Sequence, residues 1–177
     1  MSRPGHDAAR TTATEAEVRL RTRSEAETRD LAATLALVAQ PGDRVALRGP
    51  LGAGKTRFAQ GFARGLGVRE PVTSPTFTLE HAYAGRIALR HQDLYRCSDA
   101  ADAEAAGLLD VDAGATSVTL VEWADRLGAA PDPGAIEIAL LPATGGGRLV
   151  HLAATDARYR AWLDRAAAWA DAHGARA

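Results

Sequence analysis

The sequence predicts an α/β domain, a three-layer sandwich around a mixed, partly parallel central sheet. Three observations carry this reading. The segment RVALRG has the look of a strand and runs straight into a glycine-rich stretch, GPLGAGKT, after which Phe58, Phe62 and Leu66 recur at helical spacing. The run TSVTLVEW is almost uninterrupted in apolar and β-branched residues, as in a strand buried on both faces. Two more pairs of strand-like segments are joined by the short links AG and PATGGG, and such hairpins add antiparallel pairs to the sheet.

Taken in order, residues 1–17 mix Arg, Thr, Ala and Glu without apolar periodicity and read as a flexible N-terminal tail. VRLRTR alternates and predicts a short strand. Ser24 followed by Glu27 has the spacing of a capping box, and Leu31, Leu35 and Val38 continue one face of the helix it opens. PGD stops that helix. After the glycine-rich stretch, the second helix ends at Gly67. PVTSPTFTLEHAY and RIALRHQDLYR are expected to form a hairpin, DAADAEAAG a helix, and AIEIALL with RLVHLAA a second hairpin. Residues 156–173 place Tyr159, Trp162, Leu163, Ala166 and Trp169 on one helical stripe, which either packs on the sheet or offers a docking surface. The expected organisation is therefore one domain over residues 18–155 and a C-terminal helix over 156–177 packed on it or extending it.

Composition narrows the function. A chain of 177 residues, 46% hydrophobic and 24% charged, is globular in character. No apolar run approaches the roughly 20 residues that span a bilayer, and the N-terminus lacks the apolar core of a secretory signal, so a cytoplasmic protein with no membrane partner is expected. Cys97 is the only cysteine, which excludes an internal disulfide and a multi-cysteine metal site. Any metal must be held by oxygen. A net charge of -1 does not suggest a dedicated nucleic-acid binder. The local strip of Arg19, Arg21 and Arg23 is either a basic patch for nucleic acid or a solvated strand edge.

Lys55 is the only lysine among 21 basic residues. It falls within Gly49, Pro50, Leu51, Gly52, Ala53, Gly54, Lys55 and Thr56, which satisfy G-x-x-x-x-G-K-[ST], the phosphate-binding P-loop. Glycines let the backbone curl so that its N–H groups point inward, and the helix N-terminus adds positive potential. Lysine is a compact, mobile point charge suited to the space between β- and γ-phosphates, where the broad guanidinium fork fits less well. Thr56 offers a hydroxyl to Mg²⁺. The fold expected is thus P-loop NTPase-like.

A magnesium–nucleotide site also needs a carboxylate, usually at the end of a neighbouring strand. Glu122 and Asp93 both qualify. Alternation puts Leu89, His91 and Asp93 on one face, so His91 either orients Asp93 from beneath or is a satisfied core histidine. TSPTFT brings Thr73, Ser74 and Thr76 together, as a segment ordered by the γ-phosphate or as a plain hydroxyl-rich turn.

GPLGAGKT, TSPTFTLEHAY, HQDLYR and VEWAD, in this order, resemble the bacterial TsaE (YjeE) family, P-loop ATPases of tRNA threonylcarbamoyladenosine biosynthesis. The likeness covers residues 24–150. It implies ATP and Mg²⁺ as cofactors, with the loop over residues 49–56 around the phosphates and Thr56 and Glu122 on the metal. It implies that Asp93 assists metal or water, that Thr76 belongs to a nucleotide-sensing segment, and that Trp123 lies beside the site. The adenine end would be formed near Ser24 and Glu25 and at Gly147 and Arg148. The implied partners are the TsaD and TsaB subunits, with tRNA reached through that complex. Pro50 departs from the aspartate usual in the family.

Two other functions compete. A small P-loop kinase of a nucleoside or other metabolite would need a lid with clustered arginines, and Arg86, Arg90 and Arg96 are scattered. A nucleotide-gated module of the GTPase type lacks its N-K-x-D motif, since the only lysine is already in the loop.

Overall fold

The structure, a computed structural model, describes residues 16–110 and 114–177. Most of the expected N-terminal tail lies outside the described residues, but Ala16 and Glu17 already belong to the first strand. The strands are β1 (Ala16–Thr22), β2 (Arg44–Arg48), β3 (Glu80–Tyr83), β4 (Ala88–Asp93), β5 (Ser117–Glu122), β6 (Ile136–Pro142) and β7 (Arg148–Ala154). The helices are α1 (Glu25–Ala36), α2 (Lys55–Gly65), α3 (Ala100–Ala105) and α4 (Arg160–His173), with short 3-10 turns at Ala124–Leu127 and Ala157–Tyr159.

The seven strands form one sheet in the order β1-β7-β6-β2-β5-β4-β3. β6, β2, β5 and β4 run parallel, and β1, β7 and β3 add antiparallel pairs at the two sides. The mixed sheet expected from the sequence is the one observed. All six residues of β5 are buried, as its apolar run requires. On one face α1, α2 and α4 enclose the larger core, with Phe62 stacked on Trp162 at 5.7 Å. On the other, α3 and the neighbouring turns cover a smaller cluster that includes Ala46, Leu94, Cys97 and Val121.

Ser24 caps α1 by accepting from Glu27 N, but the Glu27 carboxylate returns to Arg23 N rather than to Ser24. The capping box is therefore shifted by one residue on its return arm. The stripe of α4 faces inward: Tyr159, Trp162, Leu163, Ala166 and Trp169 are all buried, and Trp169 Nε1 donates to Asp30 of α1 at 2.8 Å. Packing, not a free docking face, is the outcome. α1 and α2 approach so closely that a Cβ on Gly61 would lie 2.2 Å from Arg29 O, and one on Gly65 2.4 Å from Ala33 O. Beyond β1, Arg21 N donates to Ala175 O, so the chain's end lies along that outer strand. Arg19 and Arg23 are paired with Glu17 and Glu27, in keeping with a charged strand edge.

One expectation fails. PVTSPTFTLEHAY is not a strand throughout: only Glu80–Tyr83 joins the sheet, and residues 71–79 have no strand. Their polar groups are engaged otherwise. Tyr83 Oη donates to Thr73 O, Gln60 donates to Val72 O, and Leu79 N donates to Pro75 O. Among the described residues no helix is long and apolar enough to cross a membrane.

Candidate functional site

The parallel register decides what meets at the sheet's edge. Leu47 of β2 and Asp93 of β4 both pair with Glu122 of β5. The loop that leaves β2 therefore emerges beside both acids, although they are far apart in sequence.

Gly49 begins this loop at φ 134°, and a Cβ there would lie 2.2 Å from Leu140 O on β6. No other residue type fits so close to that strand. The loop passes into α2, whose first residues are Lys55 and Thr56. Arg148, at the start of β7, reaches across to it: Nε donates to Ala53 O at 2.6 Å, Nη2 to Gly52 O at 3.2 Å, and Nη1 to Gly147 O at 2.8 Å. One guanidinium thus holds two carbonyls of the loop.

Lys55 is buried. Its ammonium donates to Gly49 O at 2.6 Å and Pro50 O at 3.0 Å, and lies 3.5 Å from the centre of the Trp123 ring. Burial lowers its pKa below the ordinary lysine value, against the opposing pull of Glu122, Asp125 and Asp93. Trp123 adopts φ 60°, a left-handed conformation uncommon for a bulky residue. Thr56 Oγ1 donates to Glu122 Oε2 at 3.0 Å, while Oε1 of the same carboxylate lies 2.8 Å from His91 Nε2. His91 thus contacts Glu122, the acid of the next strand.

Asp93 faces a different set of groups. Its Oδ2 accepts the hydroxyls of Ser74 at 2.6 Å and Thr76 at 2.8 Å, and its Oδ1 accepts from Tyr95 N. Of the four hydroxyl residues of TSPTFT, Ser74 and Thr76 come to the acid, Thr73 is engaged through its backbone by Tyr83, and Thr78 Oγ1 lies 2.9 Å from His81 Nε2.

A cleft of about 570 Å³ opens over these groups. Lys55, Thr56, Ser74, Thr76, Asp93 and Glu122 line it, and Leu51, Gly52, Ala53 and Gly54 form its rim on the loop side. Glu25 and Arg148 line one end, and Glu25 pairs with Arg57 at 3.1 Å. Ser24 is occupied as a helix cap, and Gly147 lies against Thr22 O. The Ser24–Glu25 and Gly147–Arg148 segments are neighbours because Thr22 pairs with Arg148 between β1 and β7.

Among the described residues no group of three or more His, Cys, Asp or Glu is arranged to hold a metal. Thr56 and Glu122 do offer adjacent hard oxygen donors in the cleft, which suits Mg²⁺, an ion that commonly keeps several waters and takes one or two protein ligands. Two of the three arginines named for a kinase lid are engaged elsewhere: Arg86 donates to Ala39 O, and Arg90 pairs with Glu80 at 2.8 Å. Sequence reasoning missed the loop clamp of Arg148 and the His91–Glu122 contact. The signals were the family resemblance for Arg148 and strand alternation for His91, and neither names the partner that the fold supplies.

The family model for threonylcarbamoyl adenosine biosynthesis protein TsaE matches residues 22–149. The tRNA threonylcarbamoyladenosine biosynthesis protein TsaE of Bacillus subtilis (strain 168) is 45% identical over 109 residues, 61% of this chain and 67% of that protein. The protein of the same name from Treponema pallidum (strain Nichols) is 39% identical over 114 residues, 64% of this chain and 84% of its own. The crystal structure of Bacillus subtilis YdiB superposes with a TM-score of 0.70 at 31% identity, covering 87% of this chain and 96% of that one.

Proposed function

This chain belongs to the TsaE family of threonylcarbamoyladenosine biosynthesis, and from that premise we propose that it binds and hydrolyses ATP to drive turnover of a TsaB–TsaD complex that modifies tRNA in the cytoplasm. The observation that carries the reading is the meeting of the loop over residues 49–56 with Glu122, through the Thr56 hydroxyl at 3.0 Å. Loop N–H groups and the Lys55 ammonium receive the triphosphate. Thr56 and Glu122 hold Mg²⁺, which supplies neutralisation of the phosphate charge. Asp93 aligns the attacking water or its neighbours through the Ser74–Thr76 hydroxyl cluster. Water adds to the γ-phosphorus in line, the bond to the β-phosphate oxygen breaks, and ADP and inorganic phosphate result.

Hydrolysis by the chain alone is expected to be slow, because the two arginines that line the cleft are already engaged, Arg148 with Ala53 O and Gly52 O and Arg57 with Glu25. Leu51, on the loop at the cleft, is 78% exposed, and such an apolar side chain suits a partner protein there. The test is phosphate release from Mg-ATP with and without TsaB–TsaD, together with co-migration of the three proteins. Acceptor-independent phosphate and nucleotide-dependent assembly are expected. Phosphate transferred to an added nucleoside would overturn the reading in favour of a kinase.

A further inference from the structure

Glu122 is 2% exposed, and each of its oxygens has one defined contact. Oε2 accepts the Thr56 hydroxyl and faces the cleft. Oε1 is 2.8 Å from Nε2 of His91, whose exposure is 0%. An ionised carboxylate can only accept, so Nε2 carries the hydrogen. Nδ1 is buried and has no hydrogen-bond partner among the described residues. The contact therefore makes Nε2–H the donor to Oε1.

We propose that His91 is a positioning residue whose Nε2–H fixes the Glu122 carboxylate, leaving Oε2 turned toward Thr56 and the magnesium ion those two residues would hold. The proposal rests on the reading of the cleft as a magnesium–nucleotide site. His91 itself is buried behind the acid and touches no substrate. Its place in the chain explains the contact: it lies on β4 opposite Leu120, two residues before Glu122 on β5, so its ring reaches along the strand direction to the acid. Partners that orient a metal ligand in this way typically change metal affinity by about 10–100-fold when lost.

The experiment measures the affinity for ADP in magnesium and in EDTA, for the wild-type chain, His91→Leu and His91→Gln, alongside ¹⁵N NMR of the wild-type imidazole. The ratio of the two affinities is expected to fall about tenfold or more in His91→Leu while the EDTA value stays put. His91→Gln, whose amide can still offer N–H to Oε1, is expected to restore most of that ratio. An unchanged ratio in His91→Leu, or an equal loss in His91→Gln, overturns the proposal. The NMR spectrum is expected to show Nε2 protonated, and a ring with Nε2 bare overturns the proposal even if neither variant folds. A wild-type chain with no magnesium-dependent affinity refutes the proposed function instead, and the state of Nε2 still decides whether His91 holds Glu122.

Discussion

The cleft has two walls, and they are held differently. On one side the loop over residues 49–56 joins β2 to α2, with Gly49 pressed against β6 and two carbonyls gripped by Arg148. On the other, segment 71–79 has no strand, and its contact with the site runs through the hydroxyls of Ser74 and Thr76 on Asp93. The difference shows how a nucleotide site of the kind proposed above would divide its work. A surface that must aim backbone N–H groups at fixed points is built on the rigid sheet and clamped by a charge. The wall without a strand is tied by two hydroxyl–carboxylate hydrogen bonds, each contributing about 1–2 kcal/mol and separately breakable.

The largest expected effect tests the rigid wall at its charge. Lys55→Met should weaken Mg-ADP binding on the order of a hundredfold, measured by calorimetry, because a buried cation facing phosphate is removed. The wild-type chain should also take up protons on binding at alkaline pH. Burial holds the free ammonium below the usual lysine pKa, and phosphate charge raises it again, so between the two values the complex carries the extra proton. Calorimetry in buffers of different ionisation enthalpy reads that uptake.

Gly61→Ala probes the packing beneath the same wall. Its Cβ would meet Arg29 backbone at 2.2 Å, and a loss of about 2–3 kcal/mol is expected in urea unfolding. Arg148→Met comes next. Loss of its bonds to Ala53 O and Gly52 O should cost about 2 kcal/mol, read as roughly thirtyfold weaker ADP binding and faster amide exchange over residues 51–54.

The smallest effect lies on the other wall. Ser74→Ala combined with Thr76→Val should lower stability by only about 1–2 kcal/mol but raise amide exchange over residues 73–79. If that double variant instead loosened residues 49–56 as well, the two walls would be one cooperative unit and the comparison would break.

Much of this was legible in the chain. The strand before GPLGAGKT, the helix after it, the buried run of β5 and the cap at Ser24 were all readable from consecutive residues. Segment 71–79 was misread as strand because its threonines favour extended backbone. In the folded chain Ser74 and Thr76 bond Asp93, and Tyr83, Gln60 and Pro75 engage the segment's backbone. Alternation put His91 and Asp93 on one face correctly, and it suggested the wrong partner, since the nearest acid in sequence is not the nearest across the sheet.

By itself, the sequence determined the phosphate loop, the lone lysine within it and the two acids at strand ends, because those patterns are local and depend on neighbours a few residues away. Only the tertiary structure decided that Thr56 meets Glu122, that His91 holds the same acid, that Asp93 gathers the hydroxyls of 71–79 and that Arg148 clamps the loop. Those contacts join residues 17 to 96 positions apart. They follow from which strands lie side by side and in what register, which buried packing over the whole sheet fixes and no short stretch of chain encodes.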